Sequence, residues 1–544
     1  MKAHLLVRAA TVVALLTAGV PLAAQPVITV VQNNYSYILP NLPNYGIAPG
    51  SLFLIVGTGM ANPGSQATPL QDPNKALPRT LNGASVLVTV NGVPGPFGAT
   101  SVTTQPALYY ATPTAIAAVL PSSTPLGTSV TVTVSYGGAT SLPYDTIVAQ
   151  SAFGFDTYYE SGSGMAAVTD NLTGSLITPN NSAKPGETIV FWGSGVGADN
   201  NNDDRNPPVS FDNLNDITQL FIGGAAVPIA YQGRSHYQGV DQIDVTLPQN
   251  VPTGCAVSVT AVSGTGSSVV VSNTVTIPIA GNGGACSDPL QPINATETAT
   301  LAGHPLVKFG FLSLAQTTNT TGMSKTASAR FSSILGTLLF AYLGNALPSL
   351  GSCVVYQQAP PAPTNPFQLE GLNPGTVDVT GPNGMQALSG VPSGPGLYTA
   401  ALTSGFIPPT GGEFTFTGQG GTDVQPFSAA LNFPNPLVWT DQSVAGAITR
   451  AQGVVVNWTG GDPGTYVQIT GSATTVGVTV SFTCDAPASA QTFTVPPAVL
   501  LALPAAGGGI AISSSTLPTS FSATGLDFGF ATSSASVFES TIYQ

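Results

Sequence analysis

Apolar and polar residues alternate along much of this chain with the two-residue rhythm of β-strands. Ser129 to Tyr136 alternates Val with Thr or Ser, which makes one strand face apolar and the other polar, and Gly137-Gly138 then supplies a tight turn. Ala256 to Val262 repeats the pattern. Short unbroken apolar runs, each fed by a Pro-Gly turn and ended by Gly-x-Gly, predict buried strands at 52–56 and 188–192. In the second half, strands are predicted at 307–314, 375–380, 396–402 and 413–417. Further ones follow at 437–440, 454–458, 466–469 and 480–484. One stretch has the helical period instead. Phe331, Ile334, Leu335, Leu338, Leu339, Tyr342 and Leu343 fall at i, i+3, i+4, i+7, i+8 and beyond, which predicts one short amphipathic helix packed on its own sheet. Gln357 to Pro366 is Pro-rich and reads as a loop.

Self-comparison organises the first half. Ala48-Pro-Gly-Ser-Leu-Phe-Leu-Ile-Val-Gly-Thr-Gly59 matches Lys184-Pro-Gly-Glu-Thr-Ile-Val-Phe-Trp-Gly-Ser-Gly195. Asn91-Gly-Val-Pro-Gly-Pro96 matches Gly223-Gly-Ala-Ala-Val-Pro228, and Leu120-Pro121 with Pro125-Leu-Gly127 matches Leu247-Pro248 with Pro252-Thr-Gly254. Landmarks recurring in order are a tandem duplication. The expected fold class is therefore all-β, with tandem immunoglobulin-like sandwiches at 26–150 and 151–282. A linker at Gly283–Pro289 leads to a β-rich domain at 287–435 and a last sandwich at 436–544.

The same residues carry a resemblance. Ala48-Pro-Gly-Ser51, Asn91-Gly-Val-Pro94, Leu120-Pro121, Ala183-Lys-Pro-Gly-Glu187, Gly193-Ser-Gly-Val-Gly197 and Ser272-Asn-Thr-Val-Thr-Ile277 resemble an uncharacterised exported β-sandwich domain family of Solibacter-type acidobacteria. The likeness covers about residues 45–280. It implies architecture and export, and no activity.

Composition narrows the function. Only 6% of the 544 residues are charged, yet 43% are hydrophobic, so the chain can bury large cores. With 11 Lys and Arg against 24 Asp and Glu, the net charge of −13 opposes binding to nucleic acid and leaves no basic patch for anionic lipid. Residues 1–24 have the layout of a signal peptide: Lys2 and Arg8, an apolar stretch from Ala9 to Val20, then Leu22-Ala-Ala24 before the expected cut. The protein is expected to be secreted or held at the cell surface, with no transmembrane segment after cleavage. Export makes disulfides the default for Cys255, Cys286, Cys353 and Cys484. Of the three possible connectivities, Cys255–Cys286 with Cys353–Cys484 is preferred, because the first braces one domain and the second closes a later region.

Candidate chemistry is sparse. Asp199, Asn201, Asp203 and Asp204 have the oxygen-rich spacing of a calcium loop. Asp204 stands where an EF-hand needs Gly and Ser210 where it needs Glu, so the choice lies between a looser calcium site and a solvated loop. Calcium is the one cofactor these residues suggest. Ser235, His236 and Asp241 are close in sequence, which does not assemble a triad. The loop Gly193–Gly197 opens no helix and is not a dinucleotide fingerprint. Tyr35, Tyr37, Tyr109, Tyr110, Tyr158 and Tyr159 are candidates for a sugar-stacking surface, with core or strand-edge placement as the alternative. The chain is read as a non-enzyme that binds or adheres, with a polysaccharide or protein partner outside the cell. A structural spacer is the alternative, and an extracellular hydrolase the third reading.

Overall fold

The computed structural model describes residues 25–96, 98–200, 205–339, 342–343, 347–358, 369–392 and 394–544. Residues 1–24, read above as a signal peptide, lie outside them. The chain is mostly β, and its first two units are sandwiches built to one plan. In the first, Val27–Asn33, Leu52–Thr58, Ala115–Val119 and Ala107–Ala111 lie side by side in one sheet. Gly98–Thr104, Ser85–Gly95, Ser129–Tyr136 and Tyr144–Thr146 form the facing sheet. Alternation places Val86, Val88, Val90, Val130, Val132 and Val134 inward against Phe53, Ile55 and Ile116.

In the second unit Thr188–Ser194 takes the place of Leu52–Thr58, between Gly154–Phe155 and Asp241–Thr246, with Tyr231–Arg234 at the edge. Ala225–Val227, Ile217–Ile222, Gly254–Ser263 and Val275–Ile279 face it. The sequence duplication is thus a duplication of topology.

The C-terminal half departs from two self-contained sandwiches at 287–435 and 436–544. Leu306–Asn319 and Gly322–Leu335 form a long hairpin, and further strands from Glu370–Gly371 to Phe427–Phe433 roll the sheet around Phe331, Phe414 and Phe416. A second core, with Trp439, Trp458 and Phe482, lies between two sheets that include Val454–Thr459 and Val478–Pro487. The last strand, Phe528–Tyr543, belongs to both regions. Its first part pairs in parallel with 309–318, and Ser534 to Ile542 pair antiparallel with Gly507–Ser515. One continuous sheet therefore joins the two cores.

The helix expected at 331–343 is corrected in its first part, while Leu339, Tyr342 and Leu343 are helical. Residues 331–335 are the end of the long hairpin and Gly336–Leu338 a single 3-10 turn. Ala327, Ala329 and Phe331, all fully buried, continue a two-residue period that outweighs the helical spacing. A further helix of this half is Ala295–Ala302, with a one-turn helix at Pro497–Leu501. A capping box starts the former: Glu297 N donates to Asn294 Oδ1 (2.9 Å) and Asn294 N to Glu297 Oε2 (3.2 Å). The Pro-rich loop lies outside the described residues from 359 onward, and Cys353–Gln358 before it is a strand.

The units are locked together. Disulfides join Cys255 to Cys286 and Cys353 to Cys484, the connectivity preferred above. After the first strand, residues 34–45 form a strap across the second unit and the C-terminal core. Asn33 Nδ2 donates to Ala152 O and Ser194 O, and Gln357 Nε2 donates to Tyr37 O (2.7 Å). Ile38, Leu42 and Tyr45 pack into the core that holds both Trp439 and Trp458.

Candidate functional site: tyrosines and carboxylates at the first joint

The joint between the first two units is built around a buried ion pair. Arg234 and Asp241, both fully buried on adjacent strands, meet at 2.5 Å. Arg234 Nη2 also donates to Gly197 O (2.6 Å) and to Ser122 Oγ of the first unit (3.3 Å). Asp241 Oδ2 accepts from Gly195 N (2.7 Å) and Val196 N (2.9 Å). Burial raises the Asp241 carboxyl pKa, while the guanidinium and the two amides oppose that rise. Ser194 Oγ accepts from Leu52 N (2.8 Å) and donates to Gly239 O (2.6 Å). Gly50 is required here: at φ 79° a Cβ would lie 1.7 Å from Arg234 Nη2. The Pro-Gly turn of the first copy and the Gly-x-Gly segment of the second thus come together at this joint.

Tyrosines gather on the same joint. Leu52, Leu77, Tyr109 and Val119 form an apolar patch on the outer face of the first unit, with Tyr35 and Tyr110 packed against it. The turn from Asp156 to Ser163 of the second unit is held by Thr157 Oγ1, which accepts from Ser161 N (2.9 Å) and Gly162 N (3.1 Å). It presses on the strap so closely that a side chain at Gly162 would meet Ser36 O at 2.6 Å. Tyr35, Tyr37 and Tyr109 lie within electrostatic reach of Asp156, and Tyr37 and Tyr110 within reach of Glu160. Tyr237 is within reach of Tyr109. Burial raises the phenol pKa of Tyr35, Tyr37, Tyr109 and Tyr110, so each keeps its proton and can donate. Burial, reinforced by the Glu160 charge and opposed by a bond from Thr157 N, pushes the Asp156 carboxyl up to about 7.

Backbone geometry marks the same place. Among the described residues, six other than glycine have positive φ, and three of these are Asn, which tolerates that region. Tyr37 and Glu160, each at φ 50°, are two of the remaining three. Both belong to the cluster.

The other sequence candidates divide. Tyr158 and Tyr159 stack edge to face at 4.8 Å on the Asp156–Ser163 turn, and Tyr158 is exposed. Asp199 is buried, with its N–H on Ser122 Oγ (3.1 Å), while Asn201, Asp203 and Asp204 lie outside the described residues. Asp216 accepts from Gln150 Nε2 (2.8 Å), and Asp212 is exposed. Among the described residues no three His, Cys, Asp or Glu side chains gather as a metal site. Ser235, His236 and Asp241 do not converge. Ser235 is buried and accepts from Tyr237 N, His236 stacks on Phe211 at 4.7 Å in the open, and Asp241 is committed to Arg234. One further pair of carboxylates, Asp170 and Glu187, lines an open cleft of about 580 Å³. There Asp170 Oδ1 organises a turn through Leu172 N and Thr173 N, and Glu187 Oε2 accepts from Lys184 N. No helix among the described residues is long and apolar enough to cross a membrane.

Sequence reasoning passed over Asp156, Glu160, Tyr237 and Arg234. Only the flanking of Tyr158-Tyr159 by two acids was visible beforehand.

No protein-family profile and no curated protein matches the chain. Solved structures do resemble it. The tetra-tandem repeat in the extending region of a large adhesion protein is 13% identical, covers 94% of this chain and 98% of its own, and has a TM-score of 0.12. The N-terminal eight immunoglobulin domains of Down Syndrome Cell Adhesion Molecule are 11% identical over 95% of this chain and 49% of theirs, also at 0.12. Domains 4–9 of the surface layer protein SbsC are 12% identical over 86% and 65%, again at 0.12. At these scores none superposes on the chain as a whole, and the fold stands on the strands described above.

Proposed function

We propose that this chain is an exported, non-catalytic binding or adhesion protein that takes a glycan at the tyrosine and carboxylate patch on its first joint. The observation that carries the reading is the convergence of Tyr37 and Glu160, both in left-handed backbone, with Asp156, Tyr35, Tyr109 and Tyr110. Strained conformations persist where their surroundings over-determine them, and they concentrate at binding and switch sites. Tyrosine offers a sugar ring a flat apolar face and a polar tip, and carboxylates accept sugar hydroxyls in strong hydrogen bonds. Export is supported by the N-terminal pattern and the two disulfides. Membership of the exported acidobacterial family would fit the same reading. The locked joints also favour a fixed, load-transmitting arrangement, which is the observation behind a structural role as the second reading.

Retention of residues 25–544 on a panel of insoluble and soluble polysaccharides, with calcium and with chelator, tests the proposal. Saturable retention by at least one glycan is expected. Retention by none rejects glycan binding and leaves the structural role.

A further inference from the structure

Asp156 and Glu160 share one turn, and neither has an ion-pair partner among the described residues. The charge acting on the Asp156 carboxyl is the like charge of Glu160. The same two carboxylates act on Tyr37, and Glu160 acts on Tyr110, with no lysine or arginine to balance them. Two facing carboxylates without a counter-ion repel each other, and an incoming cation relieves that repulsion.

The tyrosines beside them are also unspent. Tyr109 is only 5% exposed, yet its hydroxyl, like those of Tyr35, Tyr37 and Tyr110, makes no hydrogen bond within the described chain. None of these four oxygens is sealed from solvent. A buried phenol ordinarily finds a partner inside its own protein, so four that do not are open to a partner from outside.

The two features together select a ligand. A metal ion does not suit them, because calcium takes about 6–8 oxygens and no third acidic side chain joins the pair. An organic ammonium does. Its N–H groups donate to the carboxylates in charge-assisted bonds, and its positive charge is drawn to the faces of aromatic rings. The net charge of −13 draws cations toward the surface as a whole. An ammonium alone leaves the phenol hydroxyls unused, whereas sugar hydroxyls engage them and the sugar ring stacks on tyrosine.

We infer that the patch prefers an amino sugar with a free amine, a glycan of the glucosamine class, over a neutral sugar. The ammonium sits between Asp156 and Glu160, and the ring lies on the tyrosines. The assignment rests on the glycan-binding reading and names the sugar class that site takes.

Calorimetric titration of residues 25–544 with chitosan oligomers, cello-oligosaccharides and oligolysine of equal length separates the outcomes. The first two series differ in carrying an amine or a hydroxyl, and the third carries the charge without the sugar. At about 0.01 M salt the chitosan series should bind about tenfold more tightly than the cellulose series, and the preference should shrink at about 1 M. Oligolysine should bind more weakly than chitosan. Glu160→Gln should lower the preference about threefold and Glu160→Lys should erase it. Glu413→Gln, which removes an exposed charge from the C-terminal half, should leave it intact. Preserved thermal midpoints show that each variant folds. Equal affinity for chitosan and cellulose oligomers, or a preference that survives Glu160→Lys, overturns the amino-sugar assignment while leaving the patch as a glycan site. A preference lost equally in Glu413→Gln overturns it as well, since attraction to the overall charge then suffices. Oligolysine binding as tightly as chitosan overturns the sugar assignment in favour of a basic peptide. Absence of binding to these series and to the whole polysaccharide panel overturns both readings.

Discussion

Replacing Arg234 by Met tests whether the first two units form one cooperative body. Arg234 and Asp241 are both fully buried, and no water reaches either charge. Methionine keeps much of the stem but leaves the Asp241 carboxylate with only the amides of Gly195 and Val196. It also strips Gly197 O and Ser122 Oγ of a donor. Breaking one half of a buried ion pair costs about 3–5 kcal/mol, because the other charge stays behind uncompensated. For a folding unit of 150–250 residues each kcal/mol lowers the midpoint by about 2–4 °C, so the drop should be roughly 6–20 °C. Differential scanning calorimetry reads this directly, and the Ser122 contact adds a second signature: the transition of the first two units should split in the variant. Pairing Arg234→Met with Asp241→Leu should recover much of the loss, since apolar replacement of a whole buried pair is often neutral. A cost below about 1 kcal/mol for the single variant, with one unsplit transition, would refute the reasoning.

Three further outcomes follow from buried groups. Burial raises Asp156 to about 7, above its unfolded value of about 4, so its proton is held more tightly in the folded state. That contribution to stability is complete below pH ~4 and is lost as pH rises to ~7, so Asp156→Asn should flatten the pH dependence of urea midpoints in this window; an unchanged slope contradicts the assignment. Asp485 is fully buried beside Cys484, its Oδ2 has no partner, and burial raises its pKa well above the usual carboxylate range. Asp485→Asn should therefore be nearly neutral below pH ~4, where both states hold the proton, and increasingly stabilising as the pH rises above it, by urea denaturation; a loss above about 2 kcal/mol across that range would mean an ionised, partnered carboxylate. Removing the Cys353–Cys484 bridge with Ser at both positions opens a loop spanning 131 positions and should cost about 2–5 kcal/mol in the calorimetric transition of the C-terminal half; no measurable change would refute it.

The parts of this fold legible in the sequence are those fixed by local period and by self-similarity. The Val alternation at 129–136 and the Pro-Gly motifs at 49–50 and 185–186 specify strands and turns without help from distant residues. The first part of the helix expected at 331–343 shows the limit of that logic, since only Leu339, Tyr342 and Leu343 of the named positions are helical. Phe331 and Ile334 satisfy a helical spacing, yet Ala327, Ala329 and Phe331 also satisfy a strand period, and pairing with Leu306–Asn319 decides between them. The capping box at Asn294 and Glu297 was written in the sequence, but without a strong apolar face behind it. The last strand is rich in Ser and Thr, and its parallel partner lies about 220 positions upstream, as Phe309 opposite Phe528 shows. No local rule reports such a pairing. The same holds for the site: the tyrosines were visible as residue types, whereas Asp156 and Glu160 come beside them only because strap and turn converge.

The most direct test of the central claim is a glycan array probed side by side with residues 25–544 and with the Tyr37→Ala/Tyr110→Ala chain, after matching their thermal midpoints. The account predicts that the parent chain binds a defined glycan set and that the variant loses it by at least about tenfold, the scale of one lost aromatic contact and hydrogen bond. Binding that is unchanged in the variant would contradict it and place the ligand elsewhere on the molecule.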